Sequence, residues 1–237
     1  MTNLLRDRLG SWVGLPARGI DPATLREMAE LLSPEDRDEM AIPSFTHRNP
    51  ALRWMAWRRI EVVARLVREL TPPEGRVLDF GCGTGVLFEA ASERAAEVIG
   101  VDLVLDAARL WKDRRGLSKV RLVPAEAAAV EVEPRSVDLI VAAEVLEHID
   151  DLGETLAFFH RVLRPGGSVV VSLPTENRAY RFGRRLAGFD GHFHLHDAAS
   201  IDGVIRANGF RGVSSSMIPL PGPLAIYLVA RYVPEAS

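Results

Sequence analysis

From Arg76 to Leu173 the chain alternates short apolar runs with helical stretches, and no other feature restricts its fold as strongly. The runs at Arg76–Phe80, Glu97–Asp102, Val120–Val123, Ser136–Ala143 and Ser168–Leu173 read as buried strands. Val86–Ala95, Leu105–Arg114 and Leu152–Leu163 read as helices between them. Strand–helix–strand alternation predicts a doubly wound α/β fold, a mostly parallel sheet with helices on both faces. A helix at Ala198–Asn208 and a strand pair, Phe210–Ile218 and Leu224–Val233, complete a seven-stranded layout. The stretch before Arg76 reads as helical instead. Asp21-Pro22, Ser33-Pro34 and Asn49-Pro50 each pair an N-cap with proline at the first helical position. Thr71-Pro72-Pro73-Glu74-Gly75 breaks the last of these helices. The expected organisation is an N-terminal helical extension over 1–72 and an α/β domain over 73–237.

The length, 237 residues, suits one domain of moderate size with such an extension. A net charge of −3 gives no basic surplus, which argues against a nucleic-acid partner. The single cysteine, Cys82, excludes an internal disulfide framework and fits a reducing compartment. Met1–Trp12 lacks the apolar run of a signal peptide, and Leu224–Val233 is too short to span a bilayer. The expected location is the cytoplasm.

The segment Val77-Leu78-Asp79-Phe80-Gly81-Cys82-Gly83-Thr84-Gly85 carries the chemistry. Glycines at alternate positions after a buried strand allow a tight turn and bring the backbone close to a ligand. The spacing is Gly-x-Gly-x-Gly, not the Gly-x-Gly-x-x-Gly of dinucleotide enzymes. Asp79 is placed to meet an ammonium group through water. Asp102, at the end of the second strand, is placed to accept two ribose hydroxyls.

From about Arg76 to Val233 the chain resembles the class I S-adenosylmethionine-dependent methyltransferases, whose sheet is Rossmann-like. The resemblance rests on the glycine segment, on Gly100-Val101-Asp102-Leu103, on the run from Val137 to His148, and on Leu163-Arg164-Pro165-Gly166-Gly167. It implies that Gly81, Gly83 and Gly85 line the methionine part of the cofactor and that Asp102 holds the ribose. It implies Leu103 against adenine and Ala143 beside the cofactor. The family often has an aspartate after strand three; this chain has Pro124-Ala125-Glu126, so Glu126 is the candidate for the adenine amino group. Within the family the chain is most similar to ubiquinone-pathway O-methyltransferases. Their Asn-Pro-Leu-Arg supplies an arginine to the cofactor carboxylate. Asn49-Pro50-Ala51-Leu52-Arg53 is one residue longer and makes Arg53 the counterpart.

Two clusters lie on the carboxyl edge of the sheet, Glu144-x-x-Glu147-His148 and His192-Phe193-His194-Leu195-His196. If the first winds helically, its three side chains share one face and, with His194, suit a divalent metal. The resemblance favours Mg²⁺. Without metal, His148 is the expected general base and Glu147 its orienting partner. The segment 180–189 reads as a lid carrying Arg181, Arg184, Arg185, Tyr180, Phe182 and Phe189, with Arg178 before it. That mix suits an aromatic or lipid-like acceptor with an anionic group. Methyl transfer to a hydroxyl of a small molecule is the leading reading. An RNA ribose 2′-O-methyltransferase, or a non-catalytic cofactor-binding subunit, are the alternatives.

Overall fold

A computed structural model of the chain describes residues 19–177 and 197–235. Among the described residues four helices precede the sheet: α1 (Pro22–Leu31), α2 (Pro34–Glu39), α3 (Ile42–Phe45) and α4 (Pro50–Leu70). The caps expected from sequence form. Asp21 accepts the N–H groups of Ala23 and Thr24, both at 3.0 Å. Ser33 accepts from Asp36 N–H at 3.1 Å, and Asn49 from Ala51 N–H at 2.9 Å. Each satisfies backbone donors that the first turn leaves unpaired. The short α3 was not foreseen; it starts after Ala41, whose φ is 55°.

The α/β part runs β1 (Arg76–Phe80), α5 (Phe88–Ser92), β2 (Glu97–Asp102), α6 (Asp106–Arg114), β3 (Val120–Pro124), α7 (Ala128–Glu131), β4 (Val137–Ala143), α8 (Leu152–Val162), β5 (Leu163–Pro174), α9 (Ala198–Ala207), β6 (Phe210–Ile218) and β7 (Tyr227–Pro234). The described strands form one seven-stranded sheet in the order β3-β2-β1-β4-β5-β7-β6. The first five strands pair in parallel, and β7 is antiparallel to both β5 and β6. β5 begins earlier than expected: Val137 pairs with Leu163, and the turn Arg164–Gly167 is a bulge before Leu139 meets Ser168.

The sheet is covered on both faces. On one side Val63, Val67, Phe88, Ala107 and Leu139 are buried in a core that also takes Leu25 and Met28 from α1. On the other, Phe159, Ile140, Val171 and Ile201 pack together. This two-sided burial is why the parallel strands read as continuous apolar runs. The strand order reverses at β1, which lies between β2 and β4. The carboxyl ends of these strands therefore splay apart and leave a crevice where open α/β sheets bind ligands. Among the described residues no helix is long and apolar enough to cross a membrane.

Candidate functional site

At the end of β1 the chain turns through Gly81 (φ 74°), Gly83 (φ 50°) and Gly85 (φ 73°). These are left-handed conformations, which glycine adopts more readily than any other residue. The neighbourhood adds a second reason. A Cβ on Gly81 would collide with Val145, and one on Gly85 would meet the Phe88 ring at 2.5 Å. The loop is stitched to β2: Gly81 and Cys82 donate to Val101 O at 2.8 and 3.0 Å. Asp102 closes it, accepting Gly83 N–H on Oδ2 at 2.7 Å and Val104 N–H on Oδ1 at 3.3 Å.

These residues border a cleft of about 430 Å³. Gly81, Gly83, Asp79, Asp102, Leu103 and Ala143 line it. Leu103 is 80% exposed and so stands free on the rim. Gly85 does not line the cleft and serves the turn and its packing on Phe88. Asp79 is 3% exposed. Burial, and then the Asp102 charge, push its carboxyl up to about 7. Burial also raises Asp102, against the N–H groups that hold its charged form. Cys82 is buried, and its thiol is pushed well above its ordinary value, which makes it an inert filler.

Three expected site residues are placed elsewhere. Glu126 is exposed and off the cleft; its neighbour Ala125 lines the wall instead. Arg53 is also off the cleft, donating to His47 O at 2.8 Å. Glu147 points into the interior, 0% exposed, and among the described residues neither carboxylate oxygen has a hydrogen-bond partner. It therefore does not orient His148 by a hydrogen bond. Burial, then the Glu144 charge, hold Glu147 well above the usual carboxylate range.

The described members of the expected metal set are not brought together, for a local reason. Glu144 sits at φ 58°, and the residues after it, Leu146–His148, form a 3₁₀ turn. The helical phase needed to bring 144, 147 and 148 onto one face is lost. Glu144 instead pairs with Arg59 at 2.9 Å and accepts from Ser172 Oγ at 2.8 Å. Among the described residues no three His, Cys, Asp or Glu side chains form a metal-binding group. His194, like the lid segment 180–189, lies outside the described residues.

Arg59 is the residue that sequence reasoning missed. It is 4% exposed, lines the cleft, and stacks over the Tyr227 ring at 4.9 Å. A signal existed: position 59 is three residues after Ala56 and four before Val63, on the buried face of α4. An arginine on that face needs a partner, and 85 residues of chain separate it from Glu144. His148 lines the cleft, half-buried. Trp57 is packing, its ring 4.5 Å from that of Phe45.

Comparison with known proteins fits this geometry. Residues 52–215 match the model of a methyltransferase domain family. The ubiquinone biosynthesis O-methyltransferase of Pseudomonas aeruginosa (strain LESB58) is 38% identical over 112 residues, 45% of this chain and 48% of that protein. The ubiquinone biosynthesis O-methyltransferase of Rhodopseudomonas palustris (strain TIE-1) is 35% identical over 175 residues, 69% of this chain and 66% of that protein. The match thus spans about half the length of the first of these curated relatives. Among solved structures, the N-methyltransferase NodS from Bradyrhizobium japonicum WM9, in complex with S-adenosyl-L-homocysteine, aligns with a TM-score of 0.61 at 20% identity. That alignment covers 88% of this chain and 97% of NodS, and it speaks to the fold.

Proposed function

The chain belongs to the methyltransferase domain family, and from that premise we propose that it transfers a methyl group from S-adenosylmethionine to a hydroxyl oxygen of a small molecule. One observation carries the reading: the left-handed glycine loop is tied through Gly83 N–H to Asp102 at the mouth of the cleft. This joins a backbone surface to a carboxylate that retains acceptor capacity for ribose hydroxyls. The O-methyltransferase names of the curated relatives favour oxygen as the acceptor atom.

The residues divide the work. Asp102 holds the ribose. Asp79 faces the ammonium, whose positive charge favours its ionised form. Arg59, the guanidinium in the cleft wall, receives the amino-acid carboxylate in the role first expected of Arg53. Met40, Phe45 and Ile60 supply an apolar wall, which suits an aromatic or lipid-like acceptor. When bound, the cofactor supplies a methyl group on a sulfonium, already a strong electrophile. Positioning then provides most of the acceleration. His148 takes the hydroxyl proton as the acceptor oxygen attacks the methyl carbon, a contribution of roughly 10²–10⁴ in rate.

No step is assigned to a metal, because Arg59 already neutralises Glu144. The test is an acceptor screen with a labelled methyl donor, run with and without EDTA. Labelled O-methyl product, insensitive to EDTA and reduced at least a hundredfold in His148→Ala, is expected. Activity lost in EDTA and restored by Mg²⁺ would instead put a cation at Glu144, Glu147, His148 and His194. No labelled product from any hydroxylated acceptor would contradict the reading.

A further inference from the structure

Among the described residues, five carboxylates line the cleft: Asp36, Glu39, Asp79, Asp102 and Glu144. Against them, among the described residues of the lining, stands one guanidinium, Arg59, which is engaged with Glu144. Two of the five come from α2, in the helical extension, not from the sheet. Met40, the C-cap residue of α2, reaches the glycine loop: a Cβ on Gly83 would lie 3.6 Å from Met40 Cγ.

Asp36 has a local structural task. It receives the Ser33 hydroxyl at 2.7 Å and donates its N–H back to Ser33 Oγ at 3.1 Å, which caps the helix. Glu39 has no such task. It is the last residue of α2, where a negative charge opposes the helix dipole. Among the described residues it makes no hydrogen bond or ion pair. Partial burial, then Asp36, Asp102 and Glu35, raise its carboxyl above the usual value. These three neighbouring charges, Asp36, Asp102 and Glu35, are all of its own sign.

Asp79 gives a second, independent sign of what the cleft takes. It is 3% exposed, lines the same cleft, and has no side-chain hydrogen bond among the described residues. A buried carboxyl group without a partner is costly until a donor or a cation reaches it. Both observations point to a ligand carrying positive charge.

We propose that Glu39, backed by Asp36, makes the cleft select the cationic, methyl-bearing form of the cofactor over its demethylated product. The inference rests on the S-adenosylmethionine reading above. S-adenosylmethionine carries a sulfonium, an ammonium and a carboxylate, for a net charge of +1. Methyl transfer turns the sulfonium into a neutral thioether, and the product carries no net charge. The acidic wall therefore attracts the reactant and loses its hold on the product. A surface carboxylate at a distance on the order of 10 Å contributes a factor of about three to ten in affinity at low salt.

The test measures dissociation constants of the full chain for S-adenosylmethionine and S-adenosylhomocysteine, at low and high ionic strength. Glu39→Gln is expected to weaken S-adenosylmethionine about threefold to tenfold and to change S-adenosylhomocysteine less than about twofold. High salt should shrink the difference. Glu39→Lys should enlarge the effect, and Glu39→Asp should restore selectivity. Glu35→Gln, on the same helix but outside the cleft lining, should move neither constant appreciably. Equal shifts for both forms, or no shift for either, would overturn the inference and leave the cofactor reading intact. Binding of neither form to the unaltered protein would sink both.

Discussion

Where β1 meets β2 the wall of the cleft is backbone: two left-handed glycines, Gly81 and Gly83, two N–H groups fixed to Val101 O, and one carboxylate that accepts Gly83 N–H. Across the same cleft, where β4 meets β5, the wall is side chain. There Glu144, itself at φ 58°, joins Arg59 of α4, Ser172 of β5 and the Tyr227 ring of β7. The first wall is written within some two dozen consecutive residues. The second is assembled from four distant parts of the chain. A backbone wall tolerates few substitutions because both φ and space are fixed. A buried ionic wall is sensitive in another way, because loss of one partner strands the other.

The sharpest way to break this contrast is Gly81→Ala. The new Cβ would have to adopt φ 74° and displace Val145. Cofactor affinity is expected to fall at least about a hundredfold, and the melting temperature should drop, since backbone strain of this kind costs about 1–3 kcal/mol before the clash is counted. Near-normal binding, measured by calorimetry, would show that the loop is more plastic than its geometry implies.

Arg59→Met tests the other wall. It leaves Glu144 half-buried without its guanidinium, and breaking a buried pair typically costs about 3–5 kcal/mol. Because Glu144 retains some solvent contact, the lower end is expected. Denaturant unfolding should also show that Arg59→Met/Glu144→Gln recovers part of the loss. If the double variant is less stable than Arg59→Met alone, the pair is not what holds this corner.

A smaller effect separates the two walls by pH. Asp79 belongs to the backbone corner and is held near 7 by burial, against an ordinary value of 3.8. The folded state therefore binds the extra proton between those values, so stability falls as pH rises from about 4 to 7. The penalty at pH 8 is at most on the order of 4 kcal/mol. In the cofactor-free protein, Asp79→Asn should raise the melting temperature more at pH 8 than at pH 5. An equal change at both values would mean that Asp79 is not held protonated.

The same contrast explains what was legible in the sequence. Strand limits at Arg76–Phe80 and Glu97–Asp102 match their apolar runs because both faces of those strands are buried. Asp102 and the glycines were legible because the chemistry is local. Glu144, Glu147 and His148 were identified as notable residues, but their arrangement was not. The helical spacing argument had no way to register a left-handed residue at 144, which breaks the phase. Arg53 attracted the assignment through its motif, while Arg59 is the arginine that lines the cleft. The pairing that buries Arg59 depends on a contact with Glu144 that no local pattern encodes.

The most direct test of the account is calorimetric titration of S-adenosylmethionine into the unaltered chain and into Asp102→Ala. The account predicts saturable one-to-one binding to the unaltered chain. It also predicts that Asp102→Ala weakens this by about 10- to 100-fold, the equivalent of the roughly 1.5–3 kcal/mol carried by hydrogen bonds to a charged group. No binding to the unaltered chain, or equal affinity in Asp102→Ala, would contradict the claim that this corner holds the cofactor.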